Sequence, residues 1–179
     1  MKRLVPGFVA LLCVSLAWSQ MSAADELKVG DMAPDFELPG TDGKTYRLSD
    51  LTAKQAVVIA WFPKAKTGGC TAECKSMKEY GEALREFDVA YFTASCDMPD
   101  FNKEFATELE LDYPILSDPE HQTSDAYGVT NDERKFPQRW TFYIGQGGKI
   151  LHIDKDVKTK NHGTDIAAKL AELGVSKKK

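Results

Sequence analysis

The sequence predicts an α/β fold in which a central mixed sheet is covered by helices on both faces. Three observations support this: an apolar, β-branched run at 56–62, a helical pattern that follows it at once, and a second strand and helix after that. Strands that alternate with helices are typical of such a sheet. The chain has 179 residues, 42% of them hydrophobic and 28% charged, which fits one globular domain.

The first elements are a hairpin and a central strand. Asp35–Leu38 and Thr45–Leu48 flank the turn-rich segment Gly40–Lys44, which predicts a short hairpin. Ala56–Phe62 is the run expected of a strand covered on both faces. Pro63 ends this strand, because proline cannot donate a ladder hydrogen bond.

The rest of the chain continues the alternation. A helix is predicted over Cys70–Phe87, because apolar residues recur there at three- and four-residue steps. Three strands are then predicted at Val89–Ser95, Trp140–Ile144 and Lys149–Ile153. Two more helices are indicated by the apolar positions Phe101, Phe105 and Leu109 and by Ile166, Leu170 and Leu173.

Residues 1–24 differ from the rest of the chain. Lys2 and Arg3 precede an apolar run from Leu4 to Trp18, and small residues follow at 22–24. This pattern predicts a cleaved signal peptide, a mature domain over 25–179 and a periplasmic or secreted location. A membrane anchor is the alternative, but the run is shorter than the roughly 20 apolar residues of a spanning helix. We therefore expect no membrane association after cleavage.

The net charge and the number of cysteines narrow the range of possible functions. Loss of Lys2 and Arg3 from the 23 basic residues leaves 21 against 27 acidic ones, a net charge of about −6. This balance argues against nucleic-acid binding. Loss of Cys13 leaves three cysteines, an odd number outside the cytosol, which suggests that at least one thiol is not structural.

Cys70 occupies a position suited to a reactive thiol. It opens a helix directly after the central strand, which is a thioredoxin-like arrangement and places the sulfur at the carboxyl end of that strand. The positive amino end of the helix favours the thiolate, which is the nucleophilic form. Gly68 and Gly69 allow a small substrate to approach the backbone, and the Thr67 hydroxyl can exchange a hydrogen bond with a peroxide oxygen.

Pro63, Thr67 and Cys70 together match the Pro-x-x-x-Thr-x-x-Cys motif, and the chain resembles the peroxiredoxins. The likeness begins at Val29 and extends to Arg139-Trp-Thr-Phe142, nearly the whole mature chain. It is nearest to the bacterioferritin-comigratory or Q-type group. The resemblance implies that Arg139 pairs with the Cys70 thiolate and holds the peroxide oxygens, a task suited to its forked donors.

The chain departs from the family pattern in two places. Gly68 stands where many members have proline, which affects loop stiffness. Q-type members commonly carry the resolving cysteine five residues after the peroxidatic one, whereas Cys74 comes four after Cys70. Residues four apart on a helix have Cβ atoms about 5–6 Å apart, but a disulfide needs roughly 3.5–4.5 Å. Cys74 is the expected resolving thiol if the first helical turn loosens, and Cys96 is the alternative.

The resemblance implies a thiol peroxidase that reduces hydrogen peroxide and organic hydroperoxides in antioxidant defence. Cys70 would become a sulfenic acid and then a disulfide, which an external thiol reductant such as a thioredoxin-like protein would restore. We expect no metal or organic cofactor and a monomeric protein.

Two other functions fit parts of the sequence. A dithiol-disulfide oxidoreductase would share the fold, but it normally needs Cys-x-x-Cys. An exported Sco-like copper-binding protein would use Cys70, Cys74 and a distant histidine, His162 or His152, because thiolate and imidazole suit copper. That function leaves Thr67 and Arg139 without a role.

Overall fold

A computed structural model describes residues 26–178, so the predicted signal peptide lies outside the described residues. A two-stranded hairpin comes first, with β1 at Glu37–Pro39 and β2 at Thr45–Arg47. The central sheet has five strands: β3 Ala56–Trp61, β4 Val89–Ser95, β5 Ile115–Ser117, β6 Thr141–Ile144 and β7 Ile150–Asp154. The predicted hairpin and four of these strands are confirmed; β5 was not predicted.

Six helices connect or flank the strands in the described part of the chain. They are α1 Leu48–Thr52, α2 Gly68–Glu79, α3 Gly81–Arg85, α4 Pro99–Glu108, α5 Gln122–Ala126 and α6 His162–Glu172. None of the helices described for residues 26–178 is long and apolar enough to cross a membrane. The short helices α1 and α5 were not predicted, because five residues are too few to show a helical period.

The central sheet is mixed, as predicted, with strand order β5-β4-β3-β6-β7. Strands β3, β4 and β5 are parallel, whereas β6 runs antiparallel to β3 and to β7. In the β3–β6 pair Thr141 lies opposite Ala60, and the Trp61 amide donates to the Trp140 carbonyl at 2.9 Å. The beginning of β6 therefore lies beside the carboxyl end of β3, where α2 starts.

Both faces of the sheet are covered. Every residue of β3 is buried, and alternate side chains enter different clusters. Ile59 and its neighbours on one face pack against α1, the hairpin and Tyr127. Val58 and Ala60 on the other face pack against α2, α3 and α6. This explains the continuous apolar run at β3, since a strand with two buried faces has no polar alternation.

The single helix predicted over Cys70–Phe87 is wrong in its bounds. The helix begins two residues earlier, at Gly68, and ends at Glu79; Tyr80 leaves helical geometry with φ −97° and ψ 11°, and α3 starts at Gly81. Glycine at 81 weakens helix continuation by about 1 kcal/mol relative to alanine. The apolar spacing continues across the break, which is why the sequence pattern did not reveal it.

Candidate active site

Cys70 lies at the junction of β3 and α2. Thr67 occupies the N-cap position of α2 with an extended backbone, so Cys70 is the third helical residue. Its side chain is completely buried. The unpaired backbone N–H groups and the positive end of the helix dipole therefore face the region of the sulfur. Pro63, as predicted, follows the end of β3 and is partly buried.

The loop between Pro63 and Gly68 is held by neighbouring elements. Lys66 adopts a left-handed conformation with φ 63°, which is uncommon for a side-chain-bearing residue. Its ammonium group pairs with Glu104 at 2.9 Å and with Glu108 at 2.7 Å, both on α4. The Ala65 amide donates to the Asp97 carboxylate at 2.8 Å. These contacts fix the loop that presents Cys70.

Arg139 meets Cys70 because of the antiparallel pairing of β6 with β3. Its Nη2 lies 3.3 Å from the Cys70 Sγ, and its Nη1 forms an ion pair with Glu73 Oε2. Burial alone would lower the pKa of Arg139, but Glu73 and Cys70 outweigh it and raise that pKa above its ordinary value. The guanidinium is thus a fixed positive charge that contacts the sulfur directly.

The three cysteines of the described chain are free thiols in different surroundings. Burial, reinforced by the Glu73 charge, raises the pKa of Cys74 to about 12. Burial raises the pKa of Cys96 to about 11, even though Ser124 partly opposes it. Neither is a ready nucleophile at neutral pH. Of these three, Cys70 is the one in contact with a cationic side chain.

Thr67 and Gly69 border the same space. The Thr67 hydroxyl donates to the Lys64 carbonyl at 2.9 Å, which leaves its oxygen lone pairs available to accept from a ligand. A Cβ added at Gly69 would lie 3.4 Å from Arg139 Nη2, whereas one added at Gly68 would meet nothing within 4 Å. Of the two glycines, Gly69 is the one whose missing side chain keeps the space beside Arg139 open.

The structure adds Glu73, which sequence reasoning missed, and gives His162, considered above only as a copper ligand, a place beside it. Glu73 is completely buried, with Oε2 on Arg139 and Oε1 3.0 Å from His162 Nδ1. On the other side of the ring, His162 Nε2 lies 2.9 Å from Thr141 Oγ1. A sequence signal for Glu73 existed, because it shares the inward helix face of Cys70, Cys74 and Met77 at three- and four-residue steps.

Histidine placement does not favour the copper-binding alternative. His162 faces Glu73 and Thr141, and the His152 ring packs against Tyr143 with centroids 5.5 Å apart. Within residues 26–178 no group of three or more His, Cys, Asp or Glu side chains is arranged to hold a metal ion.

Comparisons with known proteins identify the family. Residues 29–153 match the AhpC/TSA family. The chain is 34% identical over 142 residues to peroxiredoxin Bcp of Escherichia coli K12, covering 76% of this chain and 90% of that one. It is 29% identical over 153 residues to peroxiredoxin Bcp of Bacillus subtilis, covering 82% and 97%.

Solved structures agree as well. The crystal structure of peroxidoxin BcpB from Mycobacterium tuberculosis superposes with a TM-score of 0.73 at 31% identity, covering 83% of this chain and 97% of that one. A cysteine-to-serine mutant of Xylella fastidiosa PrxQ gives a TM-score of 0.75 at 21% identity, covering 83% and 98%, and shows the shared fold.

A thioredoxin-like domain that holds a buried cysteine against an arginine at the amino end of a helix defines a thiol peroxidase. The chain belongs to the AhpC/TSA family and is a peroxiredoxin of the Bcp type, an enzyme that reduces peroxides at the expense of a thiol reductant.

Proposed function

We propose that Cys70 is the peroxidatic cysteine, that Arg139, Thr67 and Pro63 shape its site, and that Cys74 is the resolving cysteine. The observation that carries this proposal is the contact of 3.3 Å between Arg139 Nη2 and Cys70 Sγ at the amino end of α2. A fixed cation and a helix end beside one sulfur favour its thiolate.

In the first step the Cys70 thiolate attacks one oxygen of the hydroperoxide. A sulfur–oxygen bond forms, the O–O bond breaks, and the leaving oxygen takes a proton and departs as water or an alcohol. The sulfur gives two electrons and becomes a sulfenic acid. Arg139 stabilises the negative charge that develops on the oxygens, and Thr67 accepts a hydrogen bond from the peroxide.

Access to the sulfur favours small or slender substrates. Cys70 has no exposed surface, while Thr67, Gly68 and Gly69 above it are exposed. Peroxide therefore reaches the sulfur by a small displacement of this segment. Hydrogen peroxide and small organic hydroperoxides satisfy that requirement.

The second step joins Cys70 and Cys74. Both side chains belong to one buried cluster with Phe62, Ala65 and Phe105, and Cys96 is outside it. The Cys74 sulfur displaces the sulfenic oxygen as water, and a disulfide forms. Because the two residues are four apart on α2, the helix has to open between Cys70 and Cys74 for their Cβ atoms to come within bonding reach.

A thiol donor then reduces the disulfide by exchange. We propose a thioredoxin-like protein for this step, with the peroxiredoxin acting as a monomer in the periplasm or outside the cell. The location rests on residues 1–24, with two basic residues, an apolar run and small residues at the predicted cleavage site.

Single-turnover kinetics of serine variants test these roles. Cys70→Ser should abolish peroxide consumption, whereas Cys74→Ser should consume one equivalent at the normal rate and stop at the sulfenic acid. Cys96→Ser is the matched control and should complete the cycle. A Cys74→Ser protein that still forms an intramolecular disulfide would transfer the resolving role to Cys96.

The proposed location has its own test. The full chain is expressed with a carboxyl-terminal tag in a Gram-negative host, and the amino terminus of the periplasmic fraction is sequenced. A new terminus near residue 25 in that fraction is expected; an intact Met1 in the cytoplasm would contradict export.

A further inference from the structure

The side chains behind the peroxidatic cysteine form a buried row that leads away from the sulfur. Arg139 contacts Cys70 Sγ with one nitrogen and Glu73 with the other. Glu73 Oε1 lies 3.0 Å from His162 Nδ1, and His162 Nε2 lies 2.9 Å from Thr141 Oγ1. His162 is 1% exposed and Glu73 is fully buried, so water does not solvate either side chain.

The row has a charge imbalance when Cys70 is a thiolate. Cys70 and Glu73 then carry two negative charges, and Arg139 carries one positive charge. A buried carboxylate without full compensation is strongly unfavourable. A protonated His162 balances the row, and the charges then alternate from sulfur to guanidinium to carboxylate to imidazolium.

Within residues 26–178, Arg139 and His162 are the two groups in contact with Glu73 that can carry a positive charge. Glu73 Oε1 and His162 Nδ1 have no hydrogen-bond partner among the described residues, and the two atoms lie 3.0 Å apart. The uncharged Thr141 hydroxyl of β6 faces His162 Nε2, and the uncharged Ser76 hydroxyl of α2 contacts the next residue, Gly163. Asp165 in the first turn of α6 is exposed.

The amino end of α6 acts against protonation, but weakly. His162 is the first residue of α6, where the helix dipole amounts to roughly half a positive charge spread over several backbone groups. Burial acts in the same direction as the helix end, because it disfavours a charged imidazole, and the Glu73 carboxylate 3.0 Å away acts against both.

Tight packing holds the backbone next to His162 against α2. The Gly163 amide donates to Ser76 Oγ at 3.1 Å, and a Cβ added at Gly163 would come within 2.5 Å of the Ser76 carbonyl oxygen. Helices α2 and α6 therefore touch at this point, one residue from His162. The backbone beside His162 is therefore held against α2.

We propose that His162 is a positioning residue for the peroxide reaction: its imidazolium balances Glu73 and so leaves the Arg139 charge to the Cys70 thiolate and the peroxide. The proposal rests on the role of Cys70 given above. His162 touches neither sulfur nor substrate, and it acts through Glu73 and Arg139.

The protonation state of His162 is measured by nitrogen-15 NMR of the histidine rings in the reduced, unmutated protein at neutral pH. The variants His121→Gln and His152→Gln assign the three rings by elimination. Two protonated ring nitrogens on His162 are expected, and Glu73→Gln should return the ring to the neutral form. A neutral ring in the unmutated protein would overturn the proposal.

A double-mutant cycle on the peroxide reaction tests the pathway through Glu73. His162→Leu should slow the reaction on the order of ten- to hundredfold, the range expected when a reacting group is misplaced. In the Glu73→Gln background, which removes the unbalanced charge, the same change should have little effect. Equal slowing in both backgrounds would show a merely structural role.

These outcomes are separable from those that test the proposed function. His162→Gln replaces His162→Leu if the latter does not fold, and the NMR measurement needs no substitution at the site. A Cys70→Ser protein that still consumes peroxide would refute the role of Cys70. A normal rate in the His162 variants beside an inactive Cys70→Ser would refute only the inference about His162.

Discussion

The hydrogen bond from Tyr113 to Cys74 should control how fast the disulfide forms. Tyr113 is buried, and its hydroxyl donates to the Cys74 carbonyl at 3.1 Å, which ties α2 to the segment before β5. Burial, with the neighbouring Cys74, raises the pKa of Tyr113 well above its ordinary range, so the phenol remains a donor at any working pH. The bond is made only while this part of α2 is closed.

Tyr113→Phe removes that bond and keeps the ring. A single buried hydrogen bond contributes about 1 kcal/mol to stability, and 1.4 kcal/mol corresponds to a tenfold change in an equilibrium constant. The closed state of α2 should therefore lose roughly a factor of five relative to the open state. If opening precedes disulfide formation, the rate of that step should rise by the same factor.

Stopped-flow fluorescence separates the two steps, since peroxide attack depends on peroxide concentration and disulfide formation does not. Tyr91→Phe is the matched control: the Tyr91 hydroxyl accepts from Arg85 at 3.1 Å, and its ring lies beside that of Tyr113. The control should leave the disulfide step unchanged. An unaltered disulfide rate in Tyr113→Phe would refute the claim that α2 must open at Cys74.

Three further changes have defined outcomes. Arg139→Lys keeps the positive charge but has one terminal nitrogen instead of two, so it cannot contact Glu73 and Cys70 at once. The peroxide reaction should slow about a hundredfold. An unchanged rate with a normal circular dichroism spectrum would argue against the assigned role. Gly69→Ala places a methyl group in van der Waals contact with Arg139, 3.4 Å from Nη2, and should slow the same reaction by less than about tenfold. Gly68→Ala, where an added Cβ meets nothing within 4 Å, should leave the rate unchanged, and equal effects would contradict this account of the space. Above pH 9 the unfolded chain loses the Cys74 proton, which the folded chain keeps to about pH 12. The free energy of unfolding, measured by denaturation, should therefore fall by up to about 1.4 kcal/mol per pH unit in this range. Cys74→Ala should remove that part of the slope, and an identical slope would contradict the burial of this thiol.

Much of the fold was predictable because the elements that build it have strong local patterns. The strand at Ala56–Trp61 is a continuous apolar run, and the predicted bounds of Val89–Ser95 agree with the structure. The break at Tyr80 was not evident from the periodicity, because the apolar spacing continues across it.

The residues of the site were also predictable only in part. Cys70, Thr67 and Pro63 lie in one segment, and a motif reveals them. Arg139 was found only by resemblance, because its proximity to Cys70 depends on the antiparallel pairing of β6 with β3.

Glu73 and His162 were missed as a pair. Their contact depends on how α6 packs on α2, which neither segment encodes by itself. Sequence reasoning therefore considered His162 only as a metal ligand, whereas the structure gives its ring a carboxylate partner.

The most direct test of the proposed cysteine chemistry is the intact mass of the reduced mature protein after one equivalent of hydrogen peroxide, followed by peptide mapping of the cysteines. We expect rapid loss of two hydrogens, mapped to a bond between Cys70 and Cys74, with Cys96 still a free thiol. Slow and unselective oxidation, or a disulfide that joins Cys96 to either of the others, would contradict the assigned roles.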